Sequence, residues 1–449
     1  MTLLTRPADV DPAPSAADRA RRRDVVVGVA AIIAAFAVGG WGWWLRRHGS
    51  TLVLDRDVLL SGPLQVRVGA ITVAIVAAAA ALVCWSPLAA ARLPWRALLW
   101  SSAAVAAAWS VLLALTDGVH KGLIQPLTAR GQYLRDVPRV HGVGATLRGF
   151  VSHIVGSSQP WSTHVAGHPP GALLTFWALH AGGLGGPGFA AALCIAGGAS
   201  AVPAVLIVTR DLLGEDRART AAPFLITLPA AIWIAVSFDA FFLGVTAWAV
   251  AAVGAAARST GARSAALAVV AGLLFAYAAN LSYGLVLIAP LAIVVARRRS
   301  RALIVAGAAA AAAMLVVGAT GFWWFDGLAA TRVRVAGGVA GARPYSYFVV
   351  ADLAVLVLAL GPAVAAGVAR AARRGTAPAL RLLVAAALAG ILIADLTGLA
   401  RGEVERIWLP FMPWIALAVI TLPRRDTRWW LGAQLALAIV IQTVVYSPW

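Results

Sequence analysis

The sequence predicts an all-α, polytopic membrane protein, and three observations carry that reading. The chain of 449 residues is 61% hydrophobic and only 12% charged, its mean hydropathy is +0.84, and apolar blocks of near twenty residues recur along its whole length. Each block crosses a hydrocarbon core of about 30 Å as a helix, whereas barrel strands are shorter and alternate in polarity. Only helices or closed barrels satisfy their backbone polar groups in lipid.

Taken in order, residues 1–24 read as a cytoplasmic N-terminal segment ending in "RARRRD", and residues 25–449 as a single transmembrane domain. The run 25–45 is long for a signal-peptide core and has no small-residue cleavage site after it, so it reads as a retained first helix. Further crossings follow at 68–91, 95–116, 187–209, 221–237, 240–257, 265–283, 284–296, 303–324, 348–368, 380–400, 408–422 and 430–446, about thirteen in all. Ala, Gly and Val dominate them, as in "GGAS" near Gly197 and "GAAAAAAM" from Gly307, which suits close helix packing. Cys84 and Cys194 both fall inside spans, so neither a disulfide framework nor a thiolate metal site is expected.

Charge sets the orientation. With a cytoplasmic N-terminus, the short inner segments hold 23 of the 37 Lys and Arg residues, and the longer outer ones hold the other 14. That asymmetry follows the positive-inside rule, so the formal charge of +19 is mainly a topology signal. The arginines are dispersed over short loops with no basic domain, which excludes a nucleic-acid footprint.

This orientation makes residues 117–186 the main extracytoplasmic loop. The apolar run 171–181 within it is too short to span, so it reads as a juxtamembrane helix, entered through Pro169 and Pro170. Six of the seven histidines lie in this loop, namely His120, His141, His153, His164, His168 and His180. It also carries Asp117, Lys121, Arg130, Arg135, Asp136, Arg139 and Arg148. The pair in "HVAGH" has the spacing of a divalent-metal site, but Gly167 and the prolines argue against a helix there, so no cofactor is expected beyond an occasional metal ion.

The order of a helix ending in Asp117, a loop with "YLRDVP", "HPPG" before a short helix, and Asp239 in "AVSFDAFF" resembles the GT-C superfamily of membrane glycosyltransferases. The likeness is to the protein O-mannosyltransferase and aminoarabinose transferase branch. It covers roughly residues 116–257 and is fainter at "GEVERIWLPFMPW". The resemblance implies transfer of a sugar from a polyprenyl-phosphate donor to a lipid or glycan acceptor on the outer face of a bacterial plasma membrane, in envelope glycan or glycolipid synthesis. The chain departs from the family pattern in having Gly118 where many members have a second acidic residue, and in two extra helices before it.

Such a reaction needs a carboxylate to take the acceptor's proton and cations or N–H groups for the leaving phosphate. Asp117 or Asp136 fills the first role, with Asp239 and the pair Asp55 and Asp57 as further candidates. Lys121, Arg135, Arg343 and Arg406 are candidates for the phosphate, arginine being suited to bidentate contact. His168, Asp239, Tyr345 and Glu403 complete the expected substrate-binding set, and the glycine-rich stretch from Phe325 to Tyr347 reads either as a lid over the site or as an interfacial loop. Asp352 and Asp395, inside spans near their outer ends, keep open a lipid-linked sugar flippase or proton-coupled transporter. A membrane scaffold for envelope assembly is the third class.

Overall fold

The structure, a computed structural model, describes residues 15–52, 59–60, 62–297, 300–373 and 375–446. The described residues form helices and turns without a β-strand, apart from one isolated bridge between Leu64 and Val445. The helices that frame the site are α1 (Ala16–Arg47), α2 (Ala70–Arg92), α3 (Trp95–Ala114), α4 (Pro170–Ala181), α5 (Pro187–Leu213) and α6 (Glu215–Ile226). They continue as α7 (Phe238–Arg258), α8 (Gly261–Leu281), α9 (Ala289–Ala296), α10 (Ser300–Ala319), α11 (Trp324–Ala336) and α12 (Tyr345–Leu360). The last are α13 (Pro362–Ala371), α14 (Pro378–Leu396), α15 (Val404–Ile407), α16 (Met412–Ala416) and α17 (Thr427–Val444).

Eight helices among the described residues are long and apolar enough to cross a membrane, and the bent pair α12 and α13 meets the same measure only when taken together as one broken span. They are α1, α2, α3, α5, α7, α8, α10 and α14. The other four expected crossings take different forms. Residues 221–237 divide between the end of α6 and a 3-10 turn, 284–296 and 408–422 are short apolar helices, and α17 is the more polar last helix. At the N-terminus, the Ser15 hydroxyl accepts from the Asp18 N–H at 3.1 Å, so α1 starts at Ala16 and carries "RARRRD" in its first turns.

Small residues set the helix crossings. A Cβ on Gly244 of α7 would lie 2.4 Å from the Gly197 carbonyl oxygen of α5. One on Gly272 of α8 would lie 2.3 Å from the Ala306 carbonyl oxygen of α10. Both runs singled out for small-residue packing therefore lie at backbone-to-backbone contacts.

The bend of 103° between α12 and α13 falls at Gly361, whose φ of +80° is open to glycine and costly for other residues. A break inside lipid strands backbone groups that water cannot reach. Gln434 of α17 serves two of them, donating to the Leu360 carbonyl at 3.0 Å and accepting from the Ala363 N–H at 3.2 Å.

Charges segregate to the two ends of the bundle. One end is laced by Arg210–Glu215, Arg219–Glu215, Arg370–Asp24 and Arg21–Asp426, at 2.9, 2.6, 2.6 and 2.9 Å. These residues all come from the segments expected on the cytoplasmic side or border them. The opposite end holds residues 115–169, folded as a succession of short helical turns, and α4. As expected, α4 is a separate short helix of 12 residues, about 18 Å long and too short to span. It buries Ala172, Leu173 and Phe176, and Gly171 lets it approach α8 closely, since a Cβ there would lie 2.4 Å from the Asn280 carbonyl oxygen.

Candidate functional site

At the end opposite the Arg–Glu lacing, four charged side chains from three distant segments form one chain of contacts. Asp239 stands in the first turn of α7, where Ser237 caps the helix: the serine hydroxyl accepts from the Asp239 N–H at 3.2 Å and donates to Asp239 Oδ2 at 2.9 Å. The helix N-terminus itself favours a negative charge there. Arg406 of α15 reaches Asp239 Oδ2 with Nη1 at 2.9 Å and Glu403 Oε2 with Nη2 at 2.7 Å. Arg343 approaches the other Glu403 oxygen at 3.5 Å. Burial works against the charge on Arg406, but Asp239 and Glu403 more than offset it and hold the guanidinium above its ordinary pKa.

The backbone is shaped to present these groups. Glu403 has a φ of +64°, the left-handed region, and is the one non-glycine residue in it among the described residues. It follows Gly402, at φ +80°, whose N–H donates to Asp352 Oδ1 at 2.9 Å. Arg343 and Arg401 tie the same turn from both sides: Arg343 donates to the Arg401 carbonyl, and Arg401 donates to the Arg343 carbonyl at 2.7 Å.

A wall of rings faces this chain. Tyr133 lies 5.9 Å from His164, 5.7 Å from His168 and 5.5 Å from Phe238 between ring centroids. His168 Nδ1 is 2.7 Å from the His164 carbonyl oxygen. Both histidines lie deep in the protein yet keep part of their surface open. Burial, with Arg406 and His168 adding to it, holds His164 well below the ordinary histidine pKa against the pull of Asp239. Burial likewise lowers His168, with Asp239 opposing. The Tyr133 hydroxyl is pushed well above its usual value by burial and by Asp239. The neutral rings and the charged chain are thus one electrostatic unit.

Of the residues expected from sequence, His168, Asp239, Arg343, Glu403 and Arg406 come together here. Asp117 stands elsewhere, in an ion pair with Arg67, whose guanidinium also donates to the carbonyls of Gln442 and Val445. This joins the entrance to α2, the end of α3 and the end of α17. Asp136 organises its own loop, with Oδ1 on Arg139 at 2.7 Å and Oδ2 accepting from the Ser162 N–H at 2.8 Å. Lys121 and Arg135 are exposed on short turns. Tyr345 sits at the rim, donating to the Leu396 carbonyl at 3.2 Å under the Arg401 guanidinium. Asp55 and Asp57 lie outside the described residues.

The glycine-rich stretch after Trp324 contains a helix of 13 residues, α11, rather than a plain loop. Thr331 donates to the Ala166 carbonyl at 3.0 Å, fastening α11 over the "HVAGHPP" segment. Arg332 and Arg334 of this helix are exposed, whereas Arg343 is buried. Tyr133, His164 and Ser237 join the site without a signal of residue type that points to it. "SFD" at the start of an apolar run is a helix-capping signal for Ser237, but nothing local marks Tyr133. Among the described residues, no group of three or more His, Cys, Asp or Glu side chains is arranged to hold a metal ion.

No protein-family model and no curated protein sequence matches the chain. Two solved structures are similar to it. One is the crystal structure of the Archaeoglobus fulgidus oligosaccharyltransferase in complex with Zn and sulfate, at 17% identity and TM-score 0.48, covering 78% of this chain and 53% of that one. The other is the oligosaccharyltransferase AglB of the same organism in complex with an inhibitory peptide and a dolichol-phosphate, at 14% identity and TM-score 0.43, covering 77% and 56%. The chain spans about half the length of these two structures.

Proposed function

We propose that this multi-pass membrane protein is a glycosyltransferase of the GT-C kind, moving a sugar from a polyprenyl-phosphate donor to a lipid or glycan acceptor. The reaction takes place at the end of the bundle that carries Asp239, facing outward from a bacterial plasma membrane. The observation that carries this reading is the convergence of His168, Asp239, Arg343, Glu403 and Arg406, from four separate segments, beside the short helix that follows "HPPG". Their chemistry is that of a site for an anionic leaving group. Arg406 supplies two parallel N–H groups and Arg343 a second guanidinium, the geometry that suits a phosphate.

The two carboxylates on Arg406 are not equivalent. The Asp239 side chain is 7% exposed and that of Glu403 is 24% exposed. A lipid phosphate therefore exchanges with Glu403, while Asp239 stays to orient the guanidinium. Asp117 and Asp136 are already committed to Arg67 and to Arg139 with Ser162, so this reading centres the site on the Asp239–Arg406 pair and gives those two carboxylates structural work.

Binding of a polyprenyl phosphate in detergent or nanodiscs, followed by native mass spectrometry, is the test. Arg406→Ala and Arg343→Ala should each weaken it while the protein remains folded. Wild-type affinity in both variants removes the arginines from the site.

The flippase reading keeps one observation in its favour. Asp352, Asp395 and Glu405 are each at most 2% exposed, and the latter two lie close enough to Asp352 for their charges to act on it. Buried acids at membrane depth suit proton coupling. Liposome assays separate the readings: a transferase cleaves the sugar from its lipid phosphate, and a flippase moves the intact lipid between leaflets.

A further inference from the structure

We propose that His168 is the group that takes the proton of the incoming acceptor hydroxyl. The inference rests on the transferase reading and adds to it a base that is not a carboxylate. His168 Nδ1 lies 2.7 Å from the His164 carbonyl oxygen, an atom that only accepts, so Nδ1 carries the hydrogen of the neutral ring. The lone pair is then on Nε2, on the other side of the imidazole. The ring cannot easily turn, because Tyr133 and Phe242 flank it at 5.7 and 5.8 Å and the chain enters Pro169 and Pro170 immediately after it.

The carboxylates expected as bases are poorer acceptors for a positional reason. Asp239 is held by Arg406 and Ser237, Asp136 by Arg139 and the Ser162 N–H, and Asp117 by Arg67. These donors already occupy the oxygens that would otherwise take the acceptor's proton. Four groups face His168: Asp239 from α7, Arg406 from α15, Tyr133 from its 3-10 turn, and His164 from its own segment. Burial keeps the ring neutral before reaction, and the Asp239 charge steadies the imidazolium once the proton arrives.

In the step itself the acceptor oxygen forms a bond to the anomeric carbon, and the bond from that carbon to the phosphate oxygen breaks. The electron pair leaves on the lipid phosphate, and the hydroxyl proton passes to His168 Nε2, which later returns it to solvent. No co-reactant is needed.

The test is His168→Asn, whose side-chain amide keeps the donation to the His164 carbonyl but has no basic nitrogen. With a prenyl-phosphate sugar as donor, turnover should fall by about 10²–10⁴-fold while prenyl-phosphate binding stays within about twofold. The acid limb of the pH profile of kcat/KM should vanish in this variant. In the wild type, ¹⁵N-histidine NMR should show the Nδ1–H tautomer for His168. Retained turnover with the acid limb intact overturns the inference, as does a limb lost in Asp117→Asn and kept in His168→Asn. A wild-type protein that turns over no prenyl-phosphate sugar overturns the transferase reading and this inference with it.

Discussion

The Asp239–Arg406 pair offers the most direct separation of structural from functional work. Arg406→Met removes the cation and leaves Asp239, with 7% of its side chain exposed, facing Ser237 as its remaining hydrogen-bond donor. Stranding one member of a buried pair costs about 3–5 kcal/mol. Glu403 adds little to that figure, because it is 24% exposed and keeps Arg343 at 3.5 Å. Replacing both members, Asp239→Leu with Arg406→Met, removes the stranded charge, and apolar substitutes of similar volume restore stability to within about 1–2 kcal/mol of the wild type. Thermal or denaturant unfolding of all four proteins in one detergent gives the coupling, expected near 3 kcal/mol. Donor binding is measured on the same preparations. The double variant should fold and still fail to bind a polyprenyl phosphate. A double variant as unstable as Arg406→Met refutes the energetic argument, and one with full donor affinity refutes the functional one.

Three further expectations follow from other parts of the bundle. Gln434→Leu strands the Leu360 carbonyl and the Ala363 N–H at the α12–α13 break, so it should lose about 2–6 kcal/mol at 1–3 kcal/mol for each buried group, read by unfolding; a loss under 1 kcal/mol would show that other groups satisfy the break. The folded chain binds a proton at His164 less readily than the unfolded chain does, so its contribution to stability is complete above about pH 6.5 and is lost as pH falls below that value; His164→Gln should flatten the decline in melting temperature between pH 7 and pH 5, and an unchanged slope counts against a buried neutral ring. A cysteine at the exposed Gly156 should react with an impermeant thiol reagent in intact cells, and one at the exposed Arg217 only after the membrane is opened; the reverse pattern inverts the topology.

The fold was legible because hydropathy is a local property. The long crossings, the short α4 after "HPPG", the small-residue runs at Gly197 and from Gly307, and the separation of charged segments to two ends were all readable from composition and spacing. The break at Gly361 was not, since its repair comes from Gln434, far along the chain and unremarkable by itself. Similarly, α6 and its 3-10 turn have the apolar content of a span but the backbone of two pieces. At the site, residue type marked His168, Asp239, Arg343, Glu403 and Arg406 as chemically capable. What residue type does not carry is pairing: Arg67, which occupies Asp117, and the Ser162 N–H, which occupies Asp136, are partners supplied by tertiary structure. Tyr133 stands in "YLRDVP" beside more conspicuous charged residues, and only the packing brings its ring to the histidines.

Glu403 is a position at which two selections pull in opposite directions. A non-glycine residue in the left-handed region carries a conformational penalty of about 1–2 kcal/mol that glycine escapes. Its carboxylate, however, touches both Arg406 and Arg343. A library screened for thermal tolerance alone should therefore drift to glycine at 403, whereas one screened for sugar transfer should hold glutamate and accept the lower melting temperature. Sequencing position 403 after parallel rounds of each screen would show whether the strained backbone is kept for its chemistry.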